Sequence, residues 1–118
     1  MTWEKAMNKC SSLEEGAHLV FIESEQENRA VSRLALGVSC LKKAEWWIGL
    51  NDKDAEDSWK WNDTPVNYTN WNNGEPNGNK TENCGEFKRW KDDNAWWNDR
   101  RCSKTNQFIC EMDAPAKL

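Results

Sequence analysis

Trp3, Ala6, Met7, Cys10 and Leu13 recur at the three- and four-residue spacing of one helical face, with Thr2 in place as an N-cap. The pattern predicts an amphipathic helix over residues 2–14, ended by Gly16. Ala17 to Glu23 (AHLVFIE) is rich in β-formers and predicts a strand. Ser24 and Glu27 then stand at capping-box spacing, opening a second helix to about Gly37 that buries Val31, Leu34 and Ala35. Trp46-Trp47-Ile48-Gly49-Leu50 is an apolar run suited to a buried strand, whereas Trp59 and Trp61 alternate with polar neighbours, as in a strand with one buried face. Cys84 to Phe87, Ala95 to Trp97 and Phe108 to Glu111 predict further short strands. Between them, Asn62 to Asn83 is rich in Asn, Gly and Pro, with few apolar residues beyond Tyr68 and Trp71. A structureless loop of that length is uncommon in a compact domain and often functional. Two helices, a broken antiparallel set of strands and one long loop make an α+β chain, read as a single domain over residues 1–118.

Composition changes that picture in two ways. Leu, Ile, Val and Phe number only 17 of 118 residues, a level that usually signals disorder, but nine tryptophans offset the shortage. A buried indole removes roughly 150–250 Å² from water, so the core is expected to be aromatic and ordered. Five cysteines in so short a chain suggest a disulfide framework and an oxidising compartment, with one cysteine left over and the pairing open. No C-x-x-C occurs, and the one histidine, His18, lies far from the cysteines in sequence, which disfavours zinc. A net charge of −4 and a pI near 5.1 do not suit a nucleic-acid or anionic-membrane binder. No stretch reaches transmembrane length, and the polar start after Met1 does not resemble a signal peptide, so the chain reads as a processed or excised domain.

The candidate chemistry lies in Glu75-Pro76-Asn77, Glu82 and Asn98-Asp99. Carboxylate and amide oxygens without competing sulfur or imidazole are what Ca²⁺ requires. Mixed carboxylates and primary amides also suit sugar hydroxyls, each of which both donates and accepts. A glycosidase using Glu75 and Glu82 as its carboxylate pair is the catalytic alternative, and it is disfavoured because metal ligation accounts for both groups. Trp61-Asn62-Asp63 repeats the WND triplet but lacks the nearby cysteine, and is read as a core tryptophan followed by a polar turn.

The pieces TW-EKA-NKC, GAHLV, WWIGL, NW-NGEPN, ENC, WWNDRRC and FICE, in this order, resemble a C-type lectin domain over nearly the whole chain. The resemblance implies the C-type lectin-like α+β fold, with two helices flanking small antiparallel sheets, a long calcium-binding loop and disulfides Cys10–Cys110 and Cys84–Cys102. Cys40 has no family partner and reads as a free thiol, an intermolecular bridge or, by default, a small buried hydrophobe. Residue by residue, the family's principal Ca²⁺ site falls on Glu75, Asn77, Glu82, Asn98 and Asp99, which would also bind the sugar, with a cis Glu75–Pro76 bond. The order Glu-Pro-Asn resembles the mannose-type subgroup, which binds mannose, fucose, glucose and N-acetylglucosamine. The implied protein is a non-enzymatic, extracellular lectin, secreted or a receptor ectodomain. Its implied partners are mannose-bearing glycans or glycoproteins, with no direct membrane insertion and with clustering for avidity. A calcium-braced protein-interaction domain without sugar binding is the alternative.

Several positions depart from the family pattern. An auxiliary Ca²⁺ site would use Asp52 and Glu56 with help from Glu82, but Gly78 and Asn83 remove oxygens and charge, so that site is expected to be weak or absent. Sequons occur at Asn62, Asn67 and Asn79, and a glycan on Asn79 would obstruct the sugar site, which therefore requires Asn79 unmodified. Arg100 is either a solvated rim charge or a contact to a sugar or its acidic substituent, and His18 is read as a strand residue near the core. The strand that precedes the first helix in the family is missing, which leaves Phe108 to Glu111 without that partner.

Overall fold

A computed structural model describes residues 1–38, 44–62, 64–78, 81–89 and 95–112; Cys40, Asp63 and the Asn79 sequon position lie outside the described residues. Helix α1 spans Trp3–Leu13, and the Thr2 hydroxyl accepts from the Lys5 N–H. Gly16, at φ 84°, takes the left-handed conformation that turns the chain after the helix. Helix α2 spans Glu25–Val38. Its cap is reciprocal: Ser24 Oγ accepts from Glu27 N at 3.1 Å, and Glu27 Oε2 accepts from Glu23 N at 3.1 Å.

The strands are β1 His18–Leu19, β2 Ala44–Asn51, β3 Lys60–Trp61, β4 Thr64–Pro65, β5 Cys84–Arg89, β6 Trp96–Arg100, β7 Gln107–Phe108 and β8 Cys110–Glu111. The larger sheet runs β4-β3-β2-β5-β6, with β7 parallel to β2, and β1 and β8 form a separate antiparallel pair. β2 is buried on both faces, which is why it reads as a continuous apolar run. Trp46, Ile48 and Leu50 enter one core with Val20, Ile22, Ala35, Trp61, Phe87 and Trp97, while Trp47 enters a second with Trp3, Ala6, Cys10, Leu19 and Cys84. The disulfides Cys10–Cys110 and Cys84–Cys102 are both formed.

Four expectations are corrected. Only His18–Leu19 of the 17–23 stretch is strand, because Val20 bonds singly to Ile109 and Gly49 while threading between them. Leu34 is 62% exposed rather than buried, since the inward face of α2 is Asn28, Ser32 and Ala35. The 62–83 segment is not structureless: Thr64–Pro65 forms β4, and Trp71 bridges in parallel to Trp97. Phe108 to Glu111 does not lack partners, because Phe108 pairs with Trp47, Cys110 with Leu19 and Glu111 with His18. Met1 also exchanges hydrogen bonds with Asn106, donating from its amino group and accepting at its carbonyl, each at 2.9 Å.

Candidate functional site

Strand β6 positions Asn98 and Asp99, and it is held by a polar network beneath it. Asn28 Nδ2 donates to Ala95 O (2.9 Å), Trp97 Nε1 donates to Asn28 Oδ1 (2.9 Å), and Ala95 N donates to Ser32 Oγ (2.9 Å). These fully buried partners tie α2 to the strand that carries the site. The long loop is tied to the same strand: Trp97 N donates to Asn70 O and Asn72 N to Trp97 O, both at 2.9 Å, and Asn70 Nδ2 reaches Ala95 O at 2.8 Å. Below it, the Trp97 ring meets Trp61, Tyr68 and Trp71 edge to face at 5.3, 5.7 and 6.0 Å between centroids.

From that seat the loop turns over Asp99. Glu75–Pro76 is a cis peptide bond. Asp99, 1% exposed, accepts from Asn77 N at 3.1 Å through Oδ1 and from Gly78 N at 2.7 Å through Oδ2. Burial pushes the Glu75 carboxyl up to about 7, with hydrogen bonding to Asp99 and the charges of Asp99 and Glu82 adding to the effect and Lys88 opposing it. Burial likewise raises Glu82, helped by the charge of Asp99 and opposed by Arg100 and Arg101. Glu75 Oε1 is buried and has no hydrogen-bond partner among the described residues. Glu82 folds so closely over Gly78 that a Cβ there would collide with its Cβ, Cγ and Oε1.

Of the five residues expected to form the site, Glu75 meets Asp99 through a side-chain hydrogen bond, and Glu82 lies close enough to feel the Asp99 charge. Asn77 joins them through its backbone, with its side chain exposed. Asn98, 8% exposed, donates from Nδ2 to Glu86 Oε1 at 3.0 Å. Glu86 is a residue of the candidate site that sequence reasoning missed: fully buried, it also accepts from Asn106 Nδ2 at 2.9 Å and pairs with Arg100 and Lys104.

At the auxiliary position, expected to be weak or absent, Asp52 and Glu56 nonetheless meet Asp57, which sits at φ 63°, and their carboxylate oxygens lie within 4.8 Å of one another. Glu82 is not part of that cluster. Asp52 Oδ2 accepts from Asp57 N at 2.9 Å, while Oδ1 is buried without a hydrogen-bond partner among the described residues. His18 stacks on Phe21 at 4.0 Å and lies 3.7 Å from Glu111, in the structural role expected. After the decoy tryptophan Trp61, Asn62 adopts φ 52° in the turn from β3 to β4.

Residues 1–112 match the family model described as "Lectin C-type domain". The chain is 36% identical over 115 residues to the C-type lectin of Cerberus rynchops, covering 93% of this chain and 70% of that protein. It is 31% identical over 112 residues to C-type mannose receptor 2 of Homo sapiens, covering 94% of this chain and 7% of that protein, so it spans only a small part of the receptor. Among solved structures, the C-type lectin CEL-I from Cucumaria echinata superposes with a TM-score of 0.82 at 32% identity, covering 93% of this chain and 81% of that one.

Proposed function

This chain belongs to the C-type lectin domain family, and from that premise we propose that it is a Ca²⁺-dependent lectin for mannose-type sugars. The observation that supports the reading best is the turn at Asn77 and Gly78 folded onto the Asp99 carboxylate, with Glu82 packed over Gly78. The charge of Asp99 raises both Glu75 and Glu82, an accumulation of negative charge that a cation would relieve, and the partnerless Glu75 Oε1 is an oxygen without a donor. The donor set is entirely hard oxygen, which fits Ca²⁺.

In this reading Glu75, Glu82 and Asp99 supply carboxylate oxygens, and Asn77 and Asn98 supply amide carbonyl oxygens. Bound Ca²⁺ supplies positions for two vicinal sugar hydroxyls. Glu86 holds one N–H of Asn98, which leaves the second N–H to donate to a hydroxyl oxygen. Asp99 closes the loop by accepting from two consecutive backbone N–H groups. Proteins of this family bind carbohydrate rather than catalyse its hydrolysis, so the paired carboxylates act as ligands and not as acid and base. Among the described residues no helix is long and apolar enough to cross a membrane, and two disulfides suit an extracellular setting.

The test is binding to mannose-conjugated albumin in the presence of Ca²⁺, EDTA, free mannose or free galactose. Loss with EDTA and with mannose, but not with the same concentration of galactose, is expected. Binding that needs Ca²⁺ yet ignores both sugars would assign the site to a protein partner. Two hydroxyls on an open site bind weakly, so clustered copies of the domain are expected to bind far more tightly than one.

A further inference from the structure

Beside the proposed cage, sharing Glu82 with it, lies a cavity of about 250 Å³ lined by Glu82, Arg100, Arg101 and Lys104. We propose that this cavity is a subsite for an anionic substituent, a sulfate ester or a carboxylate, on the sugar held at the cage. The proposal rests on the lectin reading above and deepens it, because the cage would supply general sugar affinity and the cavity the choice between acidic and neutral glycans.

Two features of the structure support it. The first is charge. Arg100 and Lys104 both contact the buried Glu86, and Lys104 also contacts Glu45, so these two cations of the lining share two carboxylates. Arg101, exposed at the rim, adds a further positive charge. Arg101 is thus the cation of the lining left over from these pairs, and Glu82 is the carboxylate that offsets it. The second is rigidity. Arg100 lies on β6, paired with Cys84, and both Cys84 and Cys102 are fixed by their disulfide. Lys104 N donates to Arg101 O at 3.0 Å, which closes the turn that presents Arg101 and Lys104. Cations already positioned lose little freedom on meeting an oxyanion, and a guanidinium binds a sulfate or carboxylate through two parallel hydrogen bonds.

Glu82 is the acidic member of the lining, and it is also an expected calcium ligand. With Ca²⁺ bound its charge would be committed to the metal, and Arg101 would be left as the uncompensated charge of the lining. Recognition of the anion is therefore coupled to calcium. By linkage, an acidic sugar should raise calcium affinity more than its neutral counterpart does.

The experiment measures inhibition of binding to mannose-conjugated albumin by matched pairs: N-acetylglucosamine against its 6-sulfate, and methyl mannoside against the corresponding uronic acid. In the native protein with Ca²⁺, the acidic member of at least one pair should inhibit at about tenfold lower concentration. The pair showing the preference identifies the substituent. Arg101→Gln, at an exposed position, should bring the acidic-to-neutral ratio close to one, and 0.5 M NaCl should shrink it because exposed charges are screened. Arg100→Gln gives a second reading of the same ratio. Equal inhibition within both pairs in the native protein would overturn the subsite while leaving the calcium cage in place. A preference that survives both substitutions would overturn it as well. Failure of the neutral sugars to inhibit at all would remove the cage reading, and the subsite with it.

Discussion

At the scale of single residues, Gly78 and Glu75 set the terms of the cage. Gly78 is the space into which Glu82 folds, since any Cβ there would collide with the Glu82 side chain. Gly78→Ala should therefore displace Glu82 and weaken Ca²⁺ binding at least tenfold by calorimetric titration, with the unfolding midpoint of the metal-free protein little changed. Glu75 sets a pH dependence. Its carboxyl, held near 7 without metal, must lose its proton to ligate, so Ca²⁺ affinity should fall roughly 20-fold between pH 7.5 and 5.5. The metal-free fold should behave in the opposite sense. Glu75 lies above its ordinary value of 4.5 when folded, so its contribution to stability is present below 4.5 and lost as pH rises through about 7. Glu75→Gln should flatten that part of the metal-free stability profile, measured by urea unfolding across the same pH range. A profile that Glu75→Gln leaves unchanged would place the titration on another group.

At the scale of elements, β6 joins core and site. Its first residues are held by Asn28 and Ser32 of α2, its middle by Trp97 in the aromatic cluster, and its last by the cage. Asn28→Ala would leave the Trp97 indole N–H with no acceptor in a buried site, and is expected to destabilise the fold by about 2–3 kcal/mol in urea unfolding. The strands rich in tryptophan were legible because residues 46–50 of β2 are buried on both faces and carry no polar side chain. The inner face of α2 was not legible. Asn28 and Ser32 are the kind of residue that periodicity assigns to solvent, and only their distant partners Ala95 and Trp97 make them interior, which is why Leu34 was wrongly placed inside. Glu86 was missed for the same reason, since a carboxylate in a strand reads as surface until Asn98, Arg100, Lys104 and Asn106 gather round it.

At the scale of the whole molecule, two crosslinks divide the work. Cys10–Cys110 closes a separation of 100 residues and fastens α1 to β8, whereas Cys84–Cys102 closes 18 and fastens β5 to the end of β6. On loop-closure grounds, replacing the first pair with alanine should cost about 4–5 kcal/mol and the second about 3. The second should also reduce Ca²⁺ affinity, because its loss frees the strand that carries Asn98 and Asp99. Both effects are measured by unfolding and by calcium titration of the paired variants. The meeting of the Glu75-Pro76-Asn77 turn with Asp99 was legible, because the motif is short and ordered. The path of the loop was not, because its ties run through backbone groups of Asn70 and Asn72 that no side-chain pattern reveals. The edge-to-face stack of Trp61, Tyr68 and Trp71 on Trp97 has an optical consequence. These chromophores lie close enough for their excited states to mix, and Trp97 immediately precedes Asn98 in the chain. The near-ultraviolet spectrum of the native protein thus carries an intrinsic record of how the loop sits, readable without label or ligand analogue.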